Sequence, residues 1–223
     1  IDHILGFFRI WSIPTDAVEG IMGIFVPALP IHISEFGERG IWFDYERYCM
    51  PFITDDILAQ TFGEHDSFVK ANFLQHNNRG GYDLLEAFNT QKKIETYFAP
   101  QGDTEETQKI KQGLYDLVSN VILFEHKGSD AREFHFRISV EATSSFQQLE
   151  EGTKHKLKEL YINYFYHRQD AFWKGEALNK LPALKEATNM LICGEDLGMV
   201  PHSVPDVMKR LGILSLEIQR MPK

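Results

Sequence analysis

The most informative stretch lies near the end of the chain, where residues 190–218 read MLICGEDLGMVPHSVPDVMKRLGILSLEI. One short apolar run ends just before Glu195, and a second begins at Ile213. Between them, Ser203 is typical of a helix start and Gly212 of a helix end. Strand, loop, helix and strand in this order predict a parallel βαβ unit. Functional residues of such units follow the carboxyl end of a strand, which is where Glu195 lies.

Helical periodicity continues upstream of this stretch. From Thr153 to Trp173, apolar residues recur at the spacing of one helix face, and a second helical stretch covers residues 178–184. Pro182 is expected near the first turn of that second helix, because a proline further inside removes a backbone hydrogen bond.

The middle of the chain, residues 21–150, has a different pattern. Helices are predicted at four places: residues 54–62 after a Thr54 cap, 67–75, 83–98, and from an Asp103 cap to Val118. Residues 120–126 and 132–140 are predicted to form a hairpin, since apolar and polar residues alternate in the second segment. This part is therefore predicted to be mainly helical, with a small β-hairpin.

Composition excludes several classes of function. The chain carries 23 Lys and Arg against 32 Asp and Glu, a net charge of −9, and so acidic a surface repels nucleic acid. No run approaches the roughly 18 apolar residues that a membrane span needs. The two cysteines, Cys49 and Cys193, are far apart in sequence, which favours a cytoplasmic protein. The histidines show no ligand spacing, so no metal site is predicted.

Two acidic clusters remain as candidates for chemistry, Asp2-His3 and Glu195-Asp196. Acids in such positions are commonly helix caps or loop residues. A pair of carboxyl groups is also what cleavage of a glycosidic bond requires, because one protonates the leaving oxygen while the other attacks the anomeric carbon. Asp2 and Glu195 stand near opposite ends of the sequence, so only the fold can bring them together.

Both clusters resemble motifs of one enzyme family, the 4-α-glucanotransferases (amylomaltases and disproportionating enzymes). Residues 1–14, IDHILGFFRIWSIP, resemble the nucleophile segment of that family, and residues 192–201, ICGEDLGMVP, resemble its acid/base segment. The long connection between the motifs carries TSSFQ at 143–147 and HRQ at 167–169. It resembles the branch of plant cytosolic disproportionating enzymes and their bacterial relatives.

The resemblance implies an α/β fold, namely a TIM (β/α)8 barrel interrupted by an α-rich insertion with a small β-hairpin. The chain would be an internal fragment of it. Residues 1–20 would hold the end of the fourth barrel strand and the nucleophile loop, and residues 21–150 the insertion. Residues 151–223 would hold a helix, the fifth strand, a helix and the sixth strand.

The same resemblance implies roles for four residues. Asp2 matches the catalytic nucleophile, which forms a covalent glucosyl intermediate, and Glu195 matches the general acid/base. His3 and Asp196 match neighbours that contact the sugar. The implied reaction transfers α-1,4-glucan segments between malto-oligosaccharides or glycogen-like acceptors with retention of the α-linkage, in starch, glycogen or maltose metabolism. It needs neither a metal nor an organic cofactor.

Two family features have no counterpart in this chain: an Arg two residues before the nucleophile, and a third carboxylate in a later His-Asp motif. The isolated chain is therefore expected to be inactive. Its apolar strand residues are expected to pack against the insertion or against a second copy of the chain: Ile213, Leu214, Leu216 and Ile218. The three tryptophans, Trp11, Trp42 and Trp173, are expected to pack in the core or at an interface rather than to stack on sugars.

Two alternatives remain open from the sequence. The first is a hydrolase of the related α-amylase clan, which shares the two-carboxylate chemistry but uses water as the acceptor. The second is a non-catalytic module that binds glucans or another partner through residues 21–150.

Overall fold

The computed structural model describes residues 1–102 and 104–216. Its helices are α1 Ser34–Glu38, α2 Tyr45–Cys49, α3 Asp55–Phe62, α4 Asp66–Phe73, α5 Gln91–Phe98, α6 Glu105–Ser119, α7 Ser144–Gln147, α8 Glu151–Ile162, α9 Gln169–Glu186 and α10 Val204–Leu211. Its strands are β1 Ile10–Ser12, β2 Ile24–Val26, β3 Ile31–His32, β4 Leu74–His76, β5 Tyr82–Leu84, β6 Leu123–Glu125, β7 Glu133–Phe136, β8 Cys193–Gly194 and β9 Leu214–Ser215. A 3-10 turn covers Ile4–Phe7, and a π-helical turn, Asn163–Arg168, joins α8 to α9.

The described chain divides into two compact units. Unit 1 contains residues 1–12, 25–29 and the described part of 159–223, whereas unit 2 contains residues 13–24 and 30–158. None of the described helices is both long enough and apolar enough to cross a membrane. The mixture of helices and small sheets is an α/β arrangement.

Unit 2 is built mainly from α3, α4, α5 and α6, which surround one apolar core together with the antiparallel pair β4–β5. The prediction for α3 is confirmed, because the Ile57 N–H donates to the Thr54 side chain at the helix start. In α6, Gly113 lies against Phe62, and a Cβ there would come within 2.3 Å of the Phe62 ring. A glycine is what allows α6 to approach α3 so closely.

The predicted hairpin of unit 2 is confirmed. Strands β6 and β7 pair antiparallel, with Leu123 opposite Phe136. The sequence did not indicate a third strand, but β3 adds to the other edge of β7, with Ile31 opposite Phe134. Ile31 and Phe134 are both fully buried, so this pairing belongs to the interior of the unit.

Two expectations in unit 2 are wrong at helix boundaries. The helix predicted over 67–75 ends at Phe73, and the next three residues form β4. The helix predicted over 83–98 begins only at Gln91, since its first residues belong to β5 and a 3-10 turn. Helix α6 is capped by Thr104 in a capping box with Thr107. The predicted cap, Asp103, lies outside the described residues.

Unit 1 contains the predicted βαβ unit, which is confirmed. Strand β8 pairs parallel with β9, α10 connects them, and Gly212 ends α10 in the left-handed conformation at φ +64°. Helix α9 packs against the 3-10 turn near the start of the chain and against α10, so that residues from both ends share one apolar core.

Several details of unit 1 differ from the sequence-based expectations. Pro182 lies well inside α9, where the fully buried Ala177 and Leu181 hold the helix in the core despite the lost backbone bond. Ser203 stands at the start of α10, yet its hydroxyl donates to the Asp170 carboxylate (2.9 Å) rather than capping the helix.

The apolar strand residues and the tryptophans differ among themselves in exposure. Ile213 is buried in the core of unit 1, whereas Leu214 and Leu216 are half exposed; Ile218 lies outside the described residues. Trp173 is buried, as expected, whereas Trp42 is 88% exposed on unit 2 and therefore does not pack in a core.

Candidate active site

Three backbone segments of unit 1 run parallel and side by side. The amine of Ile1 donates to the Cys193 carbonyl (2.6 Å), and the Glu195 N–H donates to the Ile1 carbonyl (2.9 Å). These two bonds flank Gly194 in the pattern of a parallel ladder. On the other side of β8, Cys193 pairs with Leu214 of β9. The carboxyl ends of all three segments therefore meet at one edge, where Asp2 and Glu195 follow.

The first of these segments, residues 1–4, lies unusually close to β8. The Ile4 side chain is fully buried against Gly194, and a Cβ at Gly194 would come within 2.6 Å of the Ile4 Cδ1 atom. The Ile4 N–H also donates to the Glu195 carbonyl oxygen (2.9 Å). Between these anchors the chain turns at His3, whose φ of +58° is left-handed. Gly194 thus allows the two acidic clusters to lie in contact.

The Glu195 carboxylate is held by both motifs. Its Oε2 accepts the backbone N–H of His3 (3.1 Å), and its Oε1 accepts the backbone N–H of Leu197 (3.1 Å). The imidazole Nδ1 of His3 lies 3.7 Å from the same Oε2. The Glu195 side chain is 26% exposed, so it is fixed in orientation but still open to solvent and to a ligand.

The other two predicted site residues lie at the same edge. Asp2 is exposed and stands between Ile1 and His3, both of which are hydrogen bonded to residues 193–195. The Asp196 carboxylate accepts the backbone N–H of Leu216 (3.2 Å), just past the end of β9. The structure therefore brings His3 into contact with Glu195, places the Asp2 backbone beside them, and turns Asp196 toward β9.

Arg9, a buried cation in the same unit, was not predicted from the sequence. Its guanidinium carbon lies 3.7 Å from the centroid of the Phe25 ring and 5.0 Å from that of Trp173, and Nη2 donates to the Met199 carbonyl. Burial lowers the Arg9 pKa to about 10. The available signal was an arginine set inside the apolar run FFRIW, which is an uncommon place for a charge.

Two further observations concern the described part of the chain. A cleft of about 180 Å³ in unit 2 is lined by residues that include Asp116, Asn120 and Arg137, but by none of the predicted site residues. Within residues 1–102 and 104–216, no group of three or more His, Cys, Asp or Glu side chains is arranged to hold a metal ion.

Comparison with known proteins agrees with the motifs at this edge. The model of the protein family described as 4-alpha-glucanotransferase matches residues 1–223, and the chain belongs to that family. Among curated proteins, one similar to this chain is the "4-alpha-glucanotransferase DPE2" of Oryza sativa subsp. japonica, with 39% identity over 226 residues. The match covers 100% of this chain and 24% of the rice protein, so the chain spans about a quarter of that relative's length. No solved structure matches the chain.

Proposed function

We propose that the protein containing this chain is a 4-α-glucanotransferase that moves α-1,4-glucan segments between malto-oligosaccharides or glycogen-like acceptors. The observation that carries the proposal is the contact between the two acidic clusters. The His3 N–H binds the Glu195 carboxylate across 192 positions of sequence. Family membership and the rice relative point to the same class of reaction.

The proposed mechanism is a double displacement at the anomeric carbon. A carboxylate oxygen of Asp2 attacks this carbon and forms a covalent ester while the bond to the leaving sugar oxygen breaks. Glu195 gives its proton to that oxygen. In the second half, Glu195 takes a proton from the hydroxyl of an acceptor glucan, and the acceptor oxygen displaces Asp2. Two inversions retain the α-linkage, and no proton or electron is gained or lost overall.

His3 and Asp196 are proposed to contact the sugar. The His3 ring is 61% exposed beside Glu195, which leaves it accessible to a substrate hydroxyl. Asp196 already accepts a bond from the Leu216 N–H. A carboxylate has about four acceptor positions, so this bond leaves others for a sugar hydroxyl.

The finer fold is part of the proposal. Three parallel segments whose carboxyl ends carry the acidic residues are what the fourth, fifth and sixth strands of a TIM barrel would present. Residues 21–150 would then be an insertion between strands. The two free cysteines favour a cytoplasmic location, because neither is paired in a disulfide.

The test uses the full-length protein with maltose as donor and glycogen as acceptor. Wild-type protein should release glucose and lengthen glycogen chains with no growth in total reducing ends. Asp2→Asn and Glu195→Gln should each abolish transfer while the protein remains folded by circular dichroism. A rise in reducing ends at the rate of donor consumption would identify a hydrolase instead, and full activity of Asp2→Asn would refute the assigned nucleophile.

The 223-residue chain on its own is a separate case. It carries no counterpart of the third carboxylate that the resemblance implies, so it should release no glucose from maltose plus glycogen. The half-exposed Leu214 and Leu216 favour self-association of this isolated chain. Sedimentation velocity at increasing concentration tests the second point, and a strictly monomeric profile would contradict it.

A role of unit 2 in glucan binding is a second candidate, favoured by Trp42. Its indole is 88% exposed, although the turn that carries it is fixed by a bond from the Tyr48 hydroxyl to the Trp42 carbonyl (3.2 Å). Rigid exposed aromatic rings can stack on sugars. Trp42→Ala in the full-length protein should then weaken retention on a glycogen gel without changing the rate with maltose alone, and unchanged retention would reject this role.

A further inference from the structure

The loop after Glu195 is exposed and has few anchors. Residues 197–200 are all exposed, and Gly198 has a left-handed φ of +108°. One anchor is Glu195 itself, whose Oε1 accepts the Leu197 N–H. Another is Arg9, which donates to the Met199 carbonyl. The position of the loop therefore affects the orientation of the Glu195 carboxyl group through Leu197.

Arg9 is itself held rigidly. Its guanidinium lies over the Phe25 ring, which packs edge-to-face with Trp173 at 5.1 Å between ring centroids. The Trp173 indole N–H in turn donates to the Pro27 carbonyl (2.7 Å). A planar guanidinium stacks on aromatic rings and still donates in its own plane, which a lysine ammonium cannot do. Arg9 is thus a fixed donor to a loop whose residues 197–200 are exposed.

We propose that Arg9 is a positioning residue for Glu195: it holds the 196–200 loop at Met199 and thereby fixes the carboxyl group that gives and takes the proton. This inference rests on the proposed function, since it concerns the acid/base role of Glu195. Arg9 does not touch the substrate. Its contribution is confined to the two proton transfers, in which the Glu195 oxygen must lie within hydrogen-bond reach of the sugar oxygen.

The test separates proton transfer from the rest of the reaction by the choice of donor. With maltotriose and a glycogen acceptor, both proton transfers are needed. With α-maltosyl fluoride and azide, neither is needed: fluoride leaves as an anion when Asp2 attacks, and azide displaces Asp2 to give the α-glycosyl azide. A structural defect lowers both rates equally, whereas a misplaced Glu195 lowers only the first.

In the full-length protein, Arg9→Met should reduce kcat with maltotriose by about 100-fold, the effect of a displacement near 1 Å, with little change in KM. The rate with the fluoride and azide should stay close to that of wild type. Methionine has a similar length and removes a buried Nε that has no hydrogen-bond partner in the described part of the chain, so the variant should fold. Arg9→Lys should recover only part of the loss.

Arg47 in unit 2 provides the matched control. It also lies over an aromatic ring, that of Phe52 at 3.8 Å, and also donates to a carbonyl, that of Ser145 (2.6 Å). Arg47→Met should therefore lower stability without a difference between the two donors.

The results also distinguish failure of the inference from failure of the proposed function. Glu195→Gln should lose transfer from maltotriose but keep the fluoride reaction with azide. If Glu195→Gln behaves so and Arg9→Met slows both donors equally, or neither, the role of Arg9 is refuted. If Glu195→Gln itself shows no donor dependence, the acid/base assignment fails and the inference fails with it.

Discussion

Replacement of Gly194 by alanine should separate the two acidic clusters. The new Cβ would lie 2.6 Å from Cδ1 of Ile4, 3.0 Å from its Cβ and 3.2 Å from its Cγ2. Carbon atoms in ordinary contact are about 3.5–4.0 Å apart, so the closest pair must move apart by about 1 Å. Ile4 is fully buried and bonded to the Glu195 carbonyl, so it can yield only by displacing residues 1–4, which include Asp2.

The expected magnitudes follow from that displacement. Overpacking of this kind costs about 1–3 kcal/mol of the free energy of unfolding. A shift near 1 Å between nucleophile and acid/base lowers kcat by about 100-fold. The assays are glucose release from maltose plus glycogen by the full-length Gly194→Ala protein, and its unfolding in urea. Adding Ile4→Val removes the closest atom, Cδ1, and should restore part of both losses.

Gly175 supplies the control for this experiment. It lies exposed in α9, and a Cβ there would meet nothing within 4 Å. Gly175→Ala should leave the rate unchanged and raise stability by about 0.5–1 kcal/mol, because alanine is the better helix former. Wild-type rate and stability in Gly194→Ala would refute the close packing of the first segment on β8.

Three further predictions concern other parts of the chain. Gly113→Ala should destabilise unit 2 by about 1–3 kcal/mol in urea unfolding, because the new Cβ would lie 2.3 Å from the Phe62 ring. An unchanged free energy of unfolding would contradict that packing. Burial and nearby carboxylates raise the pKa of Cys49 to about 12. Iodoacetamide at pH 8 should therefore alkylate the exposed Cys193 before Cys49, as followed by mass spectrometry, and equal alkylation rates of the two cysteines would contradict this. Burial and, secondarily, a neighbouring histidine lower the pKa of His135 from 6.5 to about 4. Below pH 6.5 the unfolded chain therefore binds a proton at His135 that the folded chain does not bind. The free energy of unfolding at pH 5 should be about 2 kcal/mol lower than its value above pH 6.5, and His135→Gln should reduce this loss.

Short-range sequence patterns were sufficient to predict features that depend on interactions between residues close in sequence. The Thr54 cap, the left-handed Gly212 and the α10 connection between two apolar runs all follow from residue types at short spacing. The acidic clusters were recognised for the same reason, because each motif is contiguous in sequence. Their approach to one another was expected only from the resemblance to a family.

Features that depend on distant partners were missed. Residues 74 and 75 were predicted to end a helix, but they belong to β4, which pairs with β5. A strand of three residues is too short to show the alternation from which strands are predicted. Pro182 stays helical because buried neighbours on the same helix outweigh one lost bond. No role could be assigned to Arg9 from the sequence, because its contacts are with Phe25, Trp173 and a loop about 190 positions away.

The make-up of unit 1 also sets the order in which this chain can fold during translation. Residues 30–158 are contiguous within unit 2, so its core can form while the ribosome is still working. Ile4, Leu5 and Phe8 instead share a core with side chains of α9 and α10. At about 5–20 residues per second, those partners emerge roughly 10–40 s after the first segment. Until then, Ile4, Leu5 and Phe8 lack the contacts that α9 and α10 provide, and a chaperone that covers these side chains would protect the segment that carries Asp2.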